Sequence, residues 1–133
     1  MSHLKYSNYE GYGDNHASGY SQAVRVGDII KISGQGGWDP NTEEISTDLA
    51  IQIDQAFANV ELTLRQAGGR GWEQVYQIRC YSAPISDEAI AHLVRNVEKY
   101  CPNYRPIITG IGVAKLAYEN MMVEIEVEAH LGS

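Results

Sequence analysis

The stretch from Met121 to Leu131 constrains this chain more than any other. Val123, Ile125, Val127, Ala129 and Leu131 alternate strictly with Glu124, Glu126, Glu128 and His130. A period of two puts neighbouring side chains on opposite faces of an extended strand. One face is therefore hydrocarbon and has to be covered. The other carries three carboxylates and an imidazole on a rigid element. Bathed in water, that face is a solvated sheet surface; lining a cleft, it is an acid–base surface.

Two helices are available as cover. Leu49, Ile53, Ala56, Phe57, Val60, Leu64 and Ala67 recur at helical spacing. Ser46 or Thr47 is the expected cap, Asp48 falls in the first turn where the helix dipole favours it, and Gly68-Gly69 supplies the stop. A second helix is expected after Ser86-Asp87-Glu88, with Ile90, Leu93, Val94, Val97 and Tyr100 as its apolar stripe and Pro102 at its end.

The remaining strands read as Tyr20–Val26 and Ile29–Ser33, paired across Gly27-Asp28, then 72–83 and Ile107–Val113. Alternation within the stretch 72–83 assigns Tyr76, Ile78 and Cys80 to one side and Val75, Gln77, Arg79 and Tyr81 to the other. Residues 1–19, rich in Gly, Tyr, Asn and Ser, read as an irregular arm with a short strand near Tyr6. The order ββ-α-β-α-ββ predicts an α+β two-layer sandwich, one mixed sheet with two helices on one face, in a single domain over 1–133. The other sheet face has no cover and is partly apolar, which predicts a closed homo-oligomer.

Composition narrows the function. A net charge of −7 with no Lys/Arg cluster repels a phosphate backbone, so nucleic acid is not expected as a partner. No apolar run reaches membrane-spanning length and the polar N-terminus is no signal peptide, so no membrane partner and a cytoplasmic location are expected. Cys80 and Cys101 lack CxxC spacing and read as packed thiols. His130 has no partners at ligand spacing, so no metal site is expected.

The order Tyr20-Ser21-Gln22-Ala23-Val24, Ile32-Ser33-Gly34-Gln35, Asp39-Pro40 and Val123-Glu124-Ile125-Glu126 resembles the Rid/YjgF family of reactive-intermediate deaminases, over nearly the whole chain from Tyr20 to Leu131. The motifs are short; their order and spacing carry the match. The resemblance implies a chorismate-mutase-like fold, a homotrimer with clefts between subunits, and hydrolysis of small imines or enamines without a cofactor. It places Glu124 as the residue that handles water, Tyr20 as its catalytic companion, and Gly34 in the turn that closes the cleft. Gly36 offers close backbone approach; Trp38 and Tyr118 are expected to shape the pocket.

One family feature does not carry over. The arginine that grips a substrate carboxylate falls on Ile108, followed by Thr109, and Arg105 precedes Pro106 and is expected to point elsewhere. A guanidinium is a bidentate, permanently charged clamp, and isoleucine has neither charge nor donor. Loss of such a clamp costs roughly 2–5 kcal/mol of binding to an anion. The expectation is an enzyme acting on an imine, enamine or reactive carbonyl compound other than the usual carboxylate-bearing imines. The alternative is a non-catalytic metabolite-binding or scaffold trimer. Some relatives carry an endoribonuclease label, which the acidic balance argues against here.

Overall fold

The computed structural model describes residues 3–16 and 19–132. Its elements run β1 (Lys5–Ser7), α1 (Tyr12–His16), β2 (Ala23–Val26), β3 (Ile29–Ile32), α2 (Leu49–Gln66), β4 (Val75–Ser82), α3 (Asp87–Tyr100), β5 (Ile107–Gly112) and β6 (Val123–His130). The strands form one sheet in the order β1-β2-β3-β6-β4-β5. Only the β4–β5 pair is parallel, joined through α3; the rest are antiparallel, so the sheet is mixed as expected.

The last strand is central and sits between β3 and β4. Val123, Ile125, Val127 and Ala129 are buried beneath α2, while Glu124, Glu126 and Glu128 stay partly accessible on the open face. Ile53, Phe57, Val60 and Leu64 of α2 are fully buried against Ile78, Cys80 and Ile125. Each such side chain contributes about 1.5–3 kcal/mol by leaving water. The Phe57 ring stacks on Trp72 at 4.9 Å, and the Trp72 indole N–H donates to the Phe57 carbonyl at 2.9 Å.

Several local expectations change. The cap of α2 is Asp48, not Ser46 or Thr47: its Oδ1 accepts from the Ile51 amide at 3.0 Å. Ser46 acts one step earlier, accepting from the Asp48 amide. Ser86 caps α3 as anticipated. The stretch before β4 is a short 3-10 turn over Gly71–Gln74, not strand. A register shift between Val75 and Gln77 then reverses the two faces at the start of β4. Val75 is buried in the core, and Tyr76 reaches the open face, where its hydroxyl donates to Glu128 at 2.9 Å. A bulge inserts one residue, and a period-two reading cannot detect it.

On α3 the stripe is narrower than the spacing suggests. Ala89, Leu93 and Asn96 are buried, whereas Ile90 and Val94 are 45% and 48% exposed. Tyr9 and Tyr12 of the N-terminal arm are buried, so this segment is a packed part of the domain. With Trp38 and Met121 they make a second, smaller core.

Candidate functional site

β6 and the turn after β3 set the centre of the site. The Gln35 amide donates to the Ile125 carbonyl at 2.8 Å and the Ile125 amide returns the bond to Gln35 at 2.9 Å, so residues 34–36 are clamped beside β6. The Glu124 side chain lies flat against Gly34. A methyl group at that position would sit 2.0 Å from the carboxylate oxygen, so any larger residue there displaces the Glu124 side chain. Partial burial, then the neighbouring Glu126 carboxylate, raises the Glu124 pKa above the ordinary glutamate value. Glu126 and Glu128 are engaged differently: Glu126 accepts from the Tyr81 hydroxyl, and Glu128 accepts from Tyr76 with Arg79 at 3.9 Å. Glu124 has no such phenol or guanidinium bond among the described residues.

Next to Glu124 is a cluster of phenols. The Tyr12 and Tyr118 hydroxyls are 2.7 Å apart. Tyr20, 47% exposed, has its pKa raised by burial and by Tyr118, with a smaller contribution from the Glu124 charge; its hydrogen bond with Tyr12 works against these. Tyr20 thus remains a neutral phenol at physiological pH, able to donate and accept.

Trp38 is buried, not a ligand-facing wall. It stacks on Tyr12 at 3.8 Å, and its indole N–H donates to the Tyr9 hydroxyl at 2.7 Å, which donates in turn to Gln35. Gly36 is buried too; a Cβ there would strike Trp38 and Met121 at 2.6 Å, so packing alone requires the glycine. Both residues support the site from behind. Behind the Tyr12–Tyr118 pair a cavity of about 770 Å3 opens, lined also by His16, Ile45 and Asn120. There His16 Nε2 meets Glu43 Oε1 at 2.5 Å.

Tyr20, Gly34, Tyr118 and Glu124 are therefore brought together, while Ile108 and Thr109 are not among them. Thr109 pairs with Arg79 across from Glu126, two strands from β6 on the open face. Ile108 is level with Ile78, whose side chain is in the core, so Ile108 points to the helix side of the sheet, opposite Glu124. It lines a groove of about 590 Å3 to which Arg105, itself exposed, also contributes. The sequence reading missed Tyr12. Its only sequence signal is the three-residue spacing of Tyr6, Tyr9 and Tyr12 in the arm.

Among the described residues no group of three His, Cys, Asp or Glu side chains is placed to hold a metal ion. No helix among the described residues is long and apolar enough to cross a membrane. Burial pushes the Cys80 thiol up to about 12, consistent with a packed side chain.

Residues 14–131 match the sequence profile of the family described as Endoribonuclease L-PSP. The chain is 33% identical over 112 residues to a RutC family protein of Aquifex aeolicus, covering 83% of this chain and 86% of that protein. It is 31% identical over 108 residues to the 2-iminobutanoate/2-iminopropanoate deaminase of Dermatophagoides farinae, covering 80% and 81%. The crystal structure of RidA from an Antarctic Psychrobacter superposes with a TM-score of 0.80 at 26% identity, over 98% of this chain and 99% of that one. With its six-stranded mixed sheet, helices on one face and this profile match, the chain belongs to the Rid/YjgF family.

Proposed function

We propose that this protein hydrolyses a small imine or enamine metabolite. An enamine first takes a proton at carbon to become the imine; water then adds to the C=N carbon, giving one proton through the Glu124 carboxylate to the nitrogen, and as the C–N bond breaks the new hydroxyl gives up its proton, again through Glu124, to the departing nitrogen, so that a carbonyl compound and ammonia leave. The observation that carries this reading is the Glu124 carboxyl, held against Gly34 with its pKa raised by burial and by Glu126. A carboxyl lifted toward the working pH serves as base in the addition and as acid toward the departing nitrogen. Tyr20, a neutral phenol beside it, orients the water or the nitrogen. The kinship with a protein named as an imine deaminase supports the reaction class.

The substrate's hydrocarbon part lies at Ile108, where the family resemblance implies a charged grip, so the usual short carboxylate-bearing imines are not the preferred substrates. Ile108 and Glu124 are on opposite faces of one sheet, so a single ligand meets both only if a second copy completes the cleft. A homotrimer with clefts between subunits meets that requirement. The net charge of −7 weighs against an RNA substrate.

The test is ammonia release from a panel of imines generated in situ, with and without a carboxylate. The protein is expected to accelerate release from at least one of them, and Glu124→Gln to abolish the acceleration. Equal behaviour of the two proteins on every substrate would leave a non-catalytic binder, a reading that the missing arginine at position 108 favours.

A further inference from the structure

The Tyr20 phenol is half exposed and sits on an exposed segment, so burial alone does not aim it at Glu124. Tyr12, by contrast, is 4% exposed and held at several points. Its ring is sandwiched between Trp38 at 3.8 Å and His16 at 4.4 Å, with interplanar angles of 16° and 22°. Its amide donates to the Pro40 carbonyl at 2.8 Å. At the far end of α1, Asn15 donates to Glu43 Oε2 at 2.8 Å and His16 Nε2 meets Glu43 Oε1 at 2.5 Å. This short helix cannot turn without breaking the stack and these three polar contacts.

All of that order converges on one oxygen. The Tyr12 hydroxyl lies 2.7 Å from the Tyr118 hydroxyl and bonds also to Tyr20. A hydroxyl has one proton to give and two lone pairs to receive with, so it serves both neighbours at once. The Tyr118 ring stands nearly perpendicular to the stack, at 85° to Tyr12 and 88° to Trp38, which fixes the second of the three phenols. Packing accounts for an aromatic ring between Trp38 and His16. It does not account for the oxygen on that ring, since phenylalanine would fill the same slot.

We infer that the Tyr12 hydroxyl is a positioning group: bonded to Tyr118 on one side and Tyr20 on the other, it carries the rigidity of the Trp38 stack to the Tyr20 phenol and sets where that phenol stands relative to Glu124. Tyr12 itself touches no reacting atom. A phenol held this way loses little freedom when water or a ligand nitrogen bonds to it. Without the bond, Tyr20 swings on its exposed segment and the geometry of proton transfer loosens. The inference rests on the proposed reaction for the use made of Tyr20; the chain of three phenols does not depend on turnover.

Tyr12→Phe tests it, because this variant keeps the ring and removes only the oxygen. The readout is a carbon-13 NMR titration of the tyrosine ring carbons that bear the hydroxyls, on the intact protein, with Tyr20 assigned through Tyr20→Phe. The bond from Tyr12 holds the Tyr20 pKa down, while nearby Tyr118 holds it up. Tyr12→Phe is therefore expected to raise the Tyr20 pKa and Tyr118→Phe to lower it. A general loosening of the site would instead expose Tyr20 and lower its pKa in both variants. On an imine that the parent protein turns over, Tyr12→Phe is expected to reduce kcat about tenfold with KM nearly unchanged. Combined with Tyr20→Phe it should cost no more than Tyr20→Phe alone, as expected of two residues acting through one bond. If no imine is turned over, the proposed reaction fails and the titration still decides the phenol chain. A Tyr20 pKa that stays or falls in Tyr12→Phe, or kinetic losses that multiply in the double variant, would overturn the assignment.

Discussion

Around Tyr12 the protein's own groups satisfy one another, whereas the rim at Arg105 leaves its charge and its hydrocarbon open. At the first region Trp38, Tyr9, Gln35, Tyr12 and Tyr118 form a stacked and hydrogen-bonded block that fixes the ground beneath Gly34 and Glu124. At the second, β5 is an edge strand, with Ile107 and Ile108 65% and 50% exposed, and the guanidinium of Arg105 has no partner among the described residues. The closed region has the order a proton-transfer group needs. The open region leaves its hydrocarbon and its charge to solvent. A stable domain can carry the second only because the first, and the core under α2, supply the stability.

This contrast can be broken most severely at Trp38. Trp38→Ala deletes the stack on Tyr12 and the bond to Tyr9 and is expected to cost about 3–5 kcal/mol in urea denaturation, as large aromatic truncations do. Ile108→Ala, at the open edge, is expected to cost less than about 1 kcal/mol in the same experiment, because half of its side chain is already in water. Similar losses at both sites would erase the distinction.

Glu124→Gln is expected to lower kcat by about 100-fold or more, the usual contribution of a positioned acid–base group. Its effect on stability has the opposite sign. A carboxyl whose folded pKa is raised favours the folded state fully at low pH and loses that advantage as pH rises through the raised value. At neutral pH the charged side chain therefore weighs against folding, and the Gln variant should match or exceed the parent Tm by calorimetry. Subunit mixing sharpens the comparison further. Ile108→Asp, which sets a like charge in the groove, and Glu124→Gln should each be inactive alone but recover ammonia release when mixed and reassembled, since some clefts then hold both intact halves. No recovery would place both halves on one subunit or on none.

A smaller effect is expected from Gly34→Ala. Its methyl would crowd the Glu124 carboxylate at 2.0 Å, and the carboxylate is the movable end of a flexible side chain. The fold should survive with kcat reduced about tenfold, the result of a misplaced catalytic group and not of a lost one.

How much of this was legible in the sequence depended on whether a local period decided it. The alternation of 123–131 gave the two faces of β6 correctly, and the apolar spacing of α2 gave its buried side. The bulge at Val75 and Tyr76 is a local irregularity inside a run that looks regular, and it moved Tyr76 to the carboxylate face. The burial of Tyr12 and Trp38 comes from contacts between segments far apart in the chain, such as the bond from the Tyr12 amide to the Pro40 carbonyl, which no spacing encodes. Ile108 was placed by resemblance to a motif, and only the parallel pairing with Ile78 shows which side of the sheet it serves. Asp48 displaced Ser46 as cap because all three neighbours, Ser46, Thr47 and Asp48, have suitable oxygens and only the backbone geometry chooses among them.

The central claim is that Glu124 is a partly desolvated carboxyl poised for proton transfer, unlike the phenol-bonded carboxylates beside it. Carbon-13 NMR titration of the glutamate side-chain carboxyls tests this directly, with Glu124 assigned through the Gln variant. The account predicts that Glu124 titrates above the ordinary glutamate value and that Glu126→Gln lowers its pKa, because the neighbouring charge is one of the two causes of the rise. A Glu124 that titrates at or below the ordinary value and ignores the loss of Glu126 would contradict it.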